Sequence, residues 1–272
     1  MIELSRVKPL THRLNYDNQL LKGVRPLVVT ANGICNNLVG NNLVLSGSLT
    51  IKGSPTGLGI YNSGVAGDVG ASIDNVGGGR FIDFWHGYYY TGSSATNQYI
   101  IGDYDGSLGM GLAGKHSSIS GNWGWFNGSS VDNSGEALVA GTLYTFVIVK
   151  EATSGGVKVY RDGALKITSG SSVANTASWA FGSIGQNQYA TFGTETVTLL
   201  AGRIDCRAGI QWTPAMVARF CADPWQLFEP RRIYVRVPAA GGTFNAAFAE
   251  SVGLTDSFSA GPAFSSTVAE SI

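Results

Sequence analysis

Two short segments of the sequence, residues 85–90 and 122–127, combine aromatic rings with glycine and polar side chains, the residue types that bind sugars. A sugar ring packs its C–H groups on an exposed aromatic face, while its hydroxyls bind neighbouring amides and carboxylates. The glycines around both segments predict loops near the ends of strands. The side chains predicted to bind a glycan are Asn122, Trp123, Trp125, Tyr88, Tyr89 and Tyr90. The alternative is that these rings alternate along strands and belong to the core.

Aspartates beside glycine and asparagine form a second candidate site, whose ligand would be a calcium ion. Asp103 and Asp105 lie two positions apart, and Asp132 precedes an asparagine. Carboxylate oxygens are the ligands that Ca²⁺ prefers. The alternative is a pair of Asx turns, because turns use the same side chains for local hydrogen bonds to the backbone. The sequence predicts no other cofactor.

The carboxylates and histidines show no catalytic spacing. A retaining glycosidase needs two carboxyl groups about 5 Å apart, whereas the seven glutamates of this sequence are scattered. The histidines His12, His86 and His116 lie in no serine-hydrolase motif, and we expect them in surface or loop contacts. The Gly-x-Gly-x-x-Gly match at 109–114 lacks the helix pattern that a phosphate-binding loop needs. We predict that the protein is not an enzyme, with glycoside hydrolysis as the less favoured alternative.

The charge balance disfavours partners that are recruited by bulk electrostatics. The 18 lysines and arginines equal the 18 acids, and charged residues make up 13% of the chain. Neither nucleic acid nor a membrane is therefore a predicted partner, and no run approaches the ~18 apolar residues of a membrane span. The start lacks the apolar core of a signal peptide, so we expect assembly in the cytoplasm.

Three widely separated cysteines are predicted to be free buried thiols: Cys35, Cys206 and Cys221.

The composition predicts an all-β protein. Its 38 glycines, 11% aromatic residues and lack of a long helical period indicate short strands joined by tight turns. The apolar run 143–149 predicts a strand in the core, and 157–160 alternates like a strand with one buried face. Asp162-Gly163 supplies the positive φ angles of a type I′ turn, so residues 164–167 should return antiparallel.

One short helix is predicted near the end of the β-rich region. Thr213 is a suitable N-cap and Pro214 occupies the first helical position. The apolar residues that follow fall on one face, and Asp223-Pro224 ends the helix.

A strand is predicted over residues 80–85, where two faces compete for burial. One face would carry Phe81 and Asp83, and the other would carry Ile82 and Phe84. Because an aspartate is rarely buried, we expect Ile82 and Phe84 to face the core.

Three motifs resemble those of laminin G-like and concanavalin A-like jelly-roll domains. Tyr160-Arg161-Asp162-Gly163 is similar to a hairpin of that family, 201–205 to a later strand, and Trp212-Thr213-Pro214 to the start of its short helix. Further similarities upstream extend the resemblance over residues 14–225. The family implies a two-sheet antiparallel jelly-roll sandwich with one short helix. Its laminarinase-type glucanases carry a Glu-x-Asp-x-Glu pattern that this sequence lacks.

The end of this region resembles virion proteins. Residues 223–230 and the basic strand behind them are similar to the end of such domains in proteins of tailed phages and prophages. This implies a non-enzymatic structural virion protein, either a capsid decoration or a tail or fibre appendage, that displays a lectin-like domain. The alternative is a glycan-binding receptor or adhesion module. The predicted domains are an N-terminal arm (1–13), the jelly-roll domain (14–230), a basic strand and linker (231–242) and a low-complexity repeat tail (243–272).

The repeat tail predicts oligomeric assembly. Its Phe-containing pattern recurs twenty positions later, and each unit of such an array needs a neighbour to cover its apolar side. We expect a homo-oligomer such as a trimer, with other virion proteins and a host-surface glycan as partners. The residues predicted to serve assembly are Arg231, Arg232, Tyr234, Arg236, Phe244, Phe248, Phe258 and Phe264. The alternative is a disordered tail.

Overall fold

The computed structural model describes eleven stretches of the chain, which are residues 13–31, 34–37, 50–62, 80–90, 97–104, 109–150, 156–170, 178–181, 192–193, 195–206 and 209–228. All of them belong to one compact unit that spans residues 5–230. The predicted arm up to residue 12, the basic strand and linker, and the repeat tail lie outside the described residues. All eight predicted assembly residues therefore also lie outside them.

Strands dominate the described part of the chain. They are β1 (Val24–Ala31), β2 (Ile34–Asn37), β3 (Thr50–Ser54), β4 (Gly57–Asn62), β5 (Phe81–Tyr89), β6 (Asn97–Tyr104), β7 (Gly109–His116), β8 (Gly124–Phe126), β9 (Val131–Asn133), β10 (Thr142–Lys150), β11 (Val157–Arg161), β12 (Ala164–Ser169), β13 (Ser178–Phe181), β14 (Phe192–Gly193) and β15 (Thr196–Asp205). The helix α1 spans Pro214–Ala222, and 3-10 turns occur at Gln19–Leu21, Ser117–Ile119 and Pro224–Leu227. Within these ranges no helix combines the length and apolar character needed to cross a membrane.

The strands form two sheets that pack face to face. The nine-stranded sheet has the order β12-β11-β10-β5-β15-β1-β2, with β4 paired to β15 and β3 paired to β4. The six-stranded sheet has the order β13-β6-β7-β8-β9, with β14 paired in parallel to β6. Buried side chains from both sheets form one apolar cluster, which we call the inter-sheet core. The predicted all-β sandwich with one short helix is confirmed for the described residues.

The predicted hairpin at Asp162-Gly163 is confirmed. Asp162 has φ 51° and Gly163 has φ 85°, and Arg161 pairs directly with Ala164 across the two-residue loop. The Asp162 carboxylate also accepts a hydrogen bond from the Thr145 backbone N–H at 2.9 Å, which ties the turn to β10. The Asp-Gly loop therefore sets both the turn and the antiparallel pairing of β11 with β12.

The predicted helix is confirmed, including its cap. The Thr213 hydroxyl accepts a hydrogen bond from the Met216 backbone N–H at 3.3 Å. Val217 and Phe220 are buried, and the Phe220 ring lies 5.0 Å from the ring of Phe84 on β5. The helix thus covers the face of the nine-stranded sheet that points away from the six-stranded sheet. We call the apolar cluster on this face the helix-side core.

The prediction of one buried face for β5 is wrong, because every residue of the strand is buried. The strand lies between β10 and β15 in the middle of its sheet, so both faces are covered. Ile82 and Phe84 belong to the helix-side core, whereas Phe81 belongs to the inter-sheet core. Asp83, the residue expected at the solvent face, is fully buried and paired with Arg203 of β15.

Candidate functional site

The exposure expected of Trp123 and Trp125 is wrong, because both side chains are fully buried. β8 pairs with β7 in the six-stranded sheet, which turns both indoles into the inter-sheet core. The Trp123 ring packs edge-on against Phe146 of the opposite sheet, with 5.1 Å between centroids. Neither indole face is therefore open to a ligand, and the core alternative is correct for this segment.

Of the remaining predicted glycan-binding side chains, Tyr88 and Tyr89 are also buried, at 6% and 4% exposure. They point to opposite faces of β5, Tyr88 into the helix-side core and Tyr89 into the inter-sheet core. Tyr90 follows the end of the strand and is partly exposed. Asn122 is partly exposed as well, and its amide donates a hydrogen bond to Asn133 at 3.1 Å.

The structure brings together one exposed and three partly exposed side chains, which we call the tyrosine patch: Lys52, Tyr61, Tyr90 and Glu195. The patch lies where β3, β4, β5 and β15 meet. Backbone pairing sets its geometry, because Tyr61 is opposite Thr50 on β3 and Val197 on β15. Tyr90 is held beside Glu195 by a 2.8 Å hydrogen bond from the Tyr90 backbone N–H to the Glu195 backbone carbonyl.

Polar contacts link the members of the patch. The Tyr61 hydroxyl donates a 2.8 Å hydrogen bond to a carboxylate oxygen of Glu195. The Lys52 ammonium lies 4.0 Å from the Tyr61 ring centroid and 5.8 Å from that of Tyr90. These are cation–π distances. Beneath the patch, buried Tyr88 stacks on Tyr90 with 6.4 Å between centroids, so the exposed ring is supported from below.

Both tyrosine hydroxyls of the patch remain protonated at neutral pH. Burial, the hydrogen bond to Glu195 and the charge of that carboxylate raise the pKa of Tyr61. Burial and the neighbouring Tyr88 and Glu195 raise the pKa of Tyr90. The patch therefore presents two neutral aromatic rings, one carboxylate and one ammonium at the surface.

Sequence reasoning found Tyr90 but missed Lys52, Tyr61 and Glu195. These residues are far apart in the chain and belong to no motif. The signal that could have found two of them is the short connection between β3 and β4. With two residues between Ser54 and Gly57, a hairpin register follows that places Lys52 and Tyr61 on one face of the sheet.

The calcium site is only partly within the described residues. Asp105 lies outside them, and of Asp103 the structure describes only the backbone, within β6. Asn133 next to Asp132 accepts a hydrogen bond from the Gly135 N–H at 2.8 Å, so an Asx turn is present at this position. In the described ranges no three His, Cys, Asp or Glu side chains gather as metal ligands would.

A cleft of about 220 Å³ lies beside the start of the helix. Its described walls are mainly apolar, including Ile82, Val149, Ile210 and Trp212, and contain no carboxylate. Pockets for small ligands usually enclose about 300–1,000 Å³. The cleft is therefore smaller than a usual ligand pocket, and the described walls offer no acid–base pair.

The expected surface or loop contact is wrong for His86, which is buried within β5. Its Nδ1 lies 2.9 Å from the Thr145 hydroxyl. Its ring makes a T-shaped contact with the Trp225 ring, with 5.7 Å between the two centroids. His116 is partly buried and accepts a hydrogen bond from the Ser118 N–H at 3.3 Å. It caps the 3-10 turn that follows β7, and His12 lies outside the described residues.

Cys206 and Cys221 are free, as predicted; Cys206 is buried, whereas Cys221 is only partly buried, and the side chain of Cys35 lies outside what the structure describes. Burial raises the pKa of each thiol to about 12. The thiolate is the reactive species, so we expect neither residue to react with iodoacetamide in the native protein near pH 7.5. Peptide mass mapping before and after unfolding in guanidinium chloride checks this, and rapid labelling of either residue in the native state would contradict it.

No protein-family model and no curated protein sequence matches this chain. Its fold is similar to that of a Trypanosoma rangeli sialidase in complex with sialic acid, with TM-score 0.53 and 12% identity over 73% of this chain and 32% of that one. It is also similar to domain 4 of AbnA, a GH43 extracellular arabinanase from Geobacillus stearothermophilus in complex with arabinotriose. That match has TM-score 0.50 and 15% identity over 67% of this chain and 89% of the domain.

A third similar structure is the binding domain of botulinum neurotoxin serotype D. Its TM-score is 0.51 with 14% identity, over 74% of this chain and 50% of that one. The chain thus spans about a third of the sialidase and half of the neurotoxin domain. At these identities the likeness concerns the fold alone, which is a two-sheet β-sandwich. It agrees with the sandwich fold that the resemblance of the sequence motifs implies.

Proposed function

We propose that this protein is a non-enzymatic carbohydrate-binding module whose glycan docks on the tyrosine patch. The observation that carries the proposal is the pairing of two partly exposed rings, Tyr61 and Tyr90, with the charged groups of Lys52 and Glu195. The rings offer apolar faces for the C–H surface of a sugar, and the Glu195 carboxylate offers an acceptor for its hydroxyls.

Two of the similar structures support this proposal through their ligands. The sialidase is described in complex with sialic acid and the arabinanase domain in complex with arabinotriose. Each of these proteins contains a similar β-sandwich, although the match covers 32% of the sialidase chain. Both come from carbohydrate-active enzymes, whereas the glutamates of the present chain are scattered in sequence. The proposal therefore assigns it binding without hydrolysis.

We further propose that the module is carried on the virion of a tailed phage, as part of a homo-oligomer made in the host cytoplasm. The support is the resemblance of residues 223–230 and the basic strand behind them to the end of such domains in virion proteins, together with the repeat pattern of 243–272. Cryo-EM density for this chain in purified particles would test it. A monodisperse monomer of the full chain, together with proteolysis of residues 243–272 in particles, would refute it.

Removing either ring of the patch is expected to weaken glycan binding. We expect Tyr61→Ala and Tyr90→Ala each to reduce affinity about tenfold, the equivalent of roughly 1.4 kcal/mol, because each change removes an aromatic contact face. Glycan-array binding followed by calorimetry on the best ligand measures the effect. Tyr16→Ala is the matched control, because Tyr16 is 80% exposed and lies outside the patch. Equal binding by all three variants and the unaltered protein would place the glycan elsewhere.

A further inference from the structure

The tyrosine patch already holds a cation, namely the ammonium group of its own Lys52. That group lies over the Tyr61 ring at 4.0 Å and also faces the Tyr90 ring at 5.8 Å. Glu195 is the acidic member of the patch, and its carboxylate accepts a hydrogen bond from the Tyr61 hydroxyl at 2.8 Å. Two electron-rich rings beside a carboxylate form the arrangement by which proteins recognise organic cations.

The hydrogen bond to Glu195 strengthens this preference. Donation of the phenol proton toward a carboxylate polarises the hydroxyl and leaves the ring of Tyr61 richer in electrons. The negative face of the ring then attracts an ammonium group more strongly. Lys52 is exposed on β3, so its flexible side chain can turn its ammonium group away from the rings and into solvent. Another ammonium group can therefore replace it at little cost.

We propose that the tyrosine patch selects glycans that carry a free amino group, whose ammonium takes the position of the Lys52 ammonium. This inference rests on the proposed carbohydrate binding and names the class of sugar. A neutral sugar that displaced Lys52 would leave the Tyr61 and Tyr90 rings without a cation over their faces. An acidic sugar would place a second negative charge beside Glu195. An amino sugar replaces one ammonium by another and keeps the local charge balanced.

The test compares two sugars with the same backbone, the β-1,4-linked tetrasaccharide of glucosamine and its fully N-acetylated counterpart. We expect the free-amine form to bind the full chain at least about fivefold more tightly in calorimetry. The preference should decline as salt is raised, and as pH rises through the pKa of the sugar amine, since both weaken the charge interaction. Sialyllactose serves as the acidic comparison and is expected to bind least.

Variants of Lys52 and Glu195 separate the inference from simple stacking. Lys52→Ala removes the internal competitor, so affinity for the glucosamine tetrasaccharide should rise about two- to fivefold. Lys52→Arg keeps a competing cation and is the matched control, so the rise in affinity expected for Lys52→Ala should be absent. Glu195→Gln retains a hydrogen-bond acceptor without the charge, and should weaken binding of the amine form more than that of the acetylated form.

The outcomes distinguish the two proposals. If neither tetrasaccharide nor sialyllactose nor any array glycan binds, carbohydrate binding itself fails and the selection for amines fails with it. If the acetylated or the sialylated sugar binds as well as the amine form, carbohydrate binding stands and the amine selection is overturned. A loss of amine binding in Lys52→Ala also overturns it. Thermal unfolding of each variant confirms that the chain remains folded.

Discussion

Asp83→Asn is expected to lower the free energy of unfolding by about 3–5 kcal/mol. The Asp83 carboxylate accepts two hydrogen bonds from Arg203, at 2.6 Å from Nε and 2.7 Å from Nη2, and both side chains are fully buried. Burial raises the pKa of Asp83, and the charge and hydrogen bonds of Arg203 oppose that rise. Asparagine would keep the shape of the side chain but leave the guanidinium inside the sandwich without this counter-charge.

Chemical denaturation of the single and double variants measures the effect. We expect Asp83→Leu combined with Arg203→Met to be more stable than either single variant, because a buried ion pair is often replaced by apolar residues at little net cost. The Arg203 guanidinium also lies 4.1 Å from the Phe81 ring centroid, a contact that the methionine side chain can partly retain. A change below about 1 kcal/mol for Asp83→Asn would show that the pair is not important for stability.

Trp123→Ala is expected to destabilise the protein by about 3–5 kcal/mol. The indole is fully buried, and its ring packs against Phe146 at 5.1 Å and lies 5.8 Å from the Arg161 guanidinium. Alanine would leave a cavity between the sheets that the surrounding strands can only partly close. Any loss of glycan binding in this variant should then follow the loss of folded protein.

Trp123→Phe is the matched control. Phenylalanine keeps part of the ring, and the indole N–H of Trp123 meets no hydrogen-bond acceptor among the described residues, so no such bond would be lost. We expect a cost of about 1–2 kcal/mol for this change. Denaturation midpoints and binding should be measured on the same samples. A Trp123→Ala variant of unchanged stability that no longer binds glycans would contradict the buried, structural role.

Local signals in the sequence were sufficient for the hairpin and the helix. Asp162-Gly163 determines its turn through its own φ angles, and Thr213 caps the helix through a hydrogen bond three residues away. Both depend on near neighbours in the chain. The all-β class followed in the same way, from many short apolar segments separated by turn residues.

The burial of β5 and of the tryptophans could not be read from the sequence, because it depends on what covers each strand. The partner of Asp83 is Arg203, which lies 120 positions away. A glycine-rich segment around Trp123 indicated a loop, yet its pairing with β7 makes it part of the second sheet. The members of the tyrosine patch likewise meet only through the register of β3, β4, β5 and β15.

The position of β15 determines the order in which the chain can fold. This strand pairs with β5 along one edge and with both β4 and β1 along the other, yet it is the last strand of the described chain to be synthesised. Pairing between segments so distant in sequence gives a high contact order and slow folding. During translation β1, β4 and β5 therefore lack β15 as a pairing partner until residue 205 has left the ribosome.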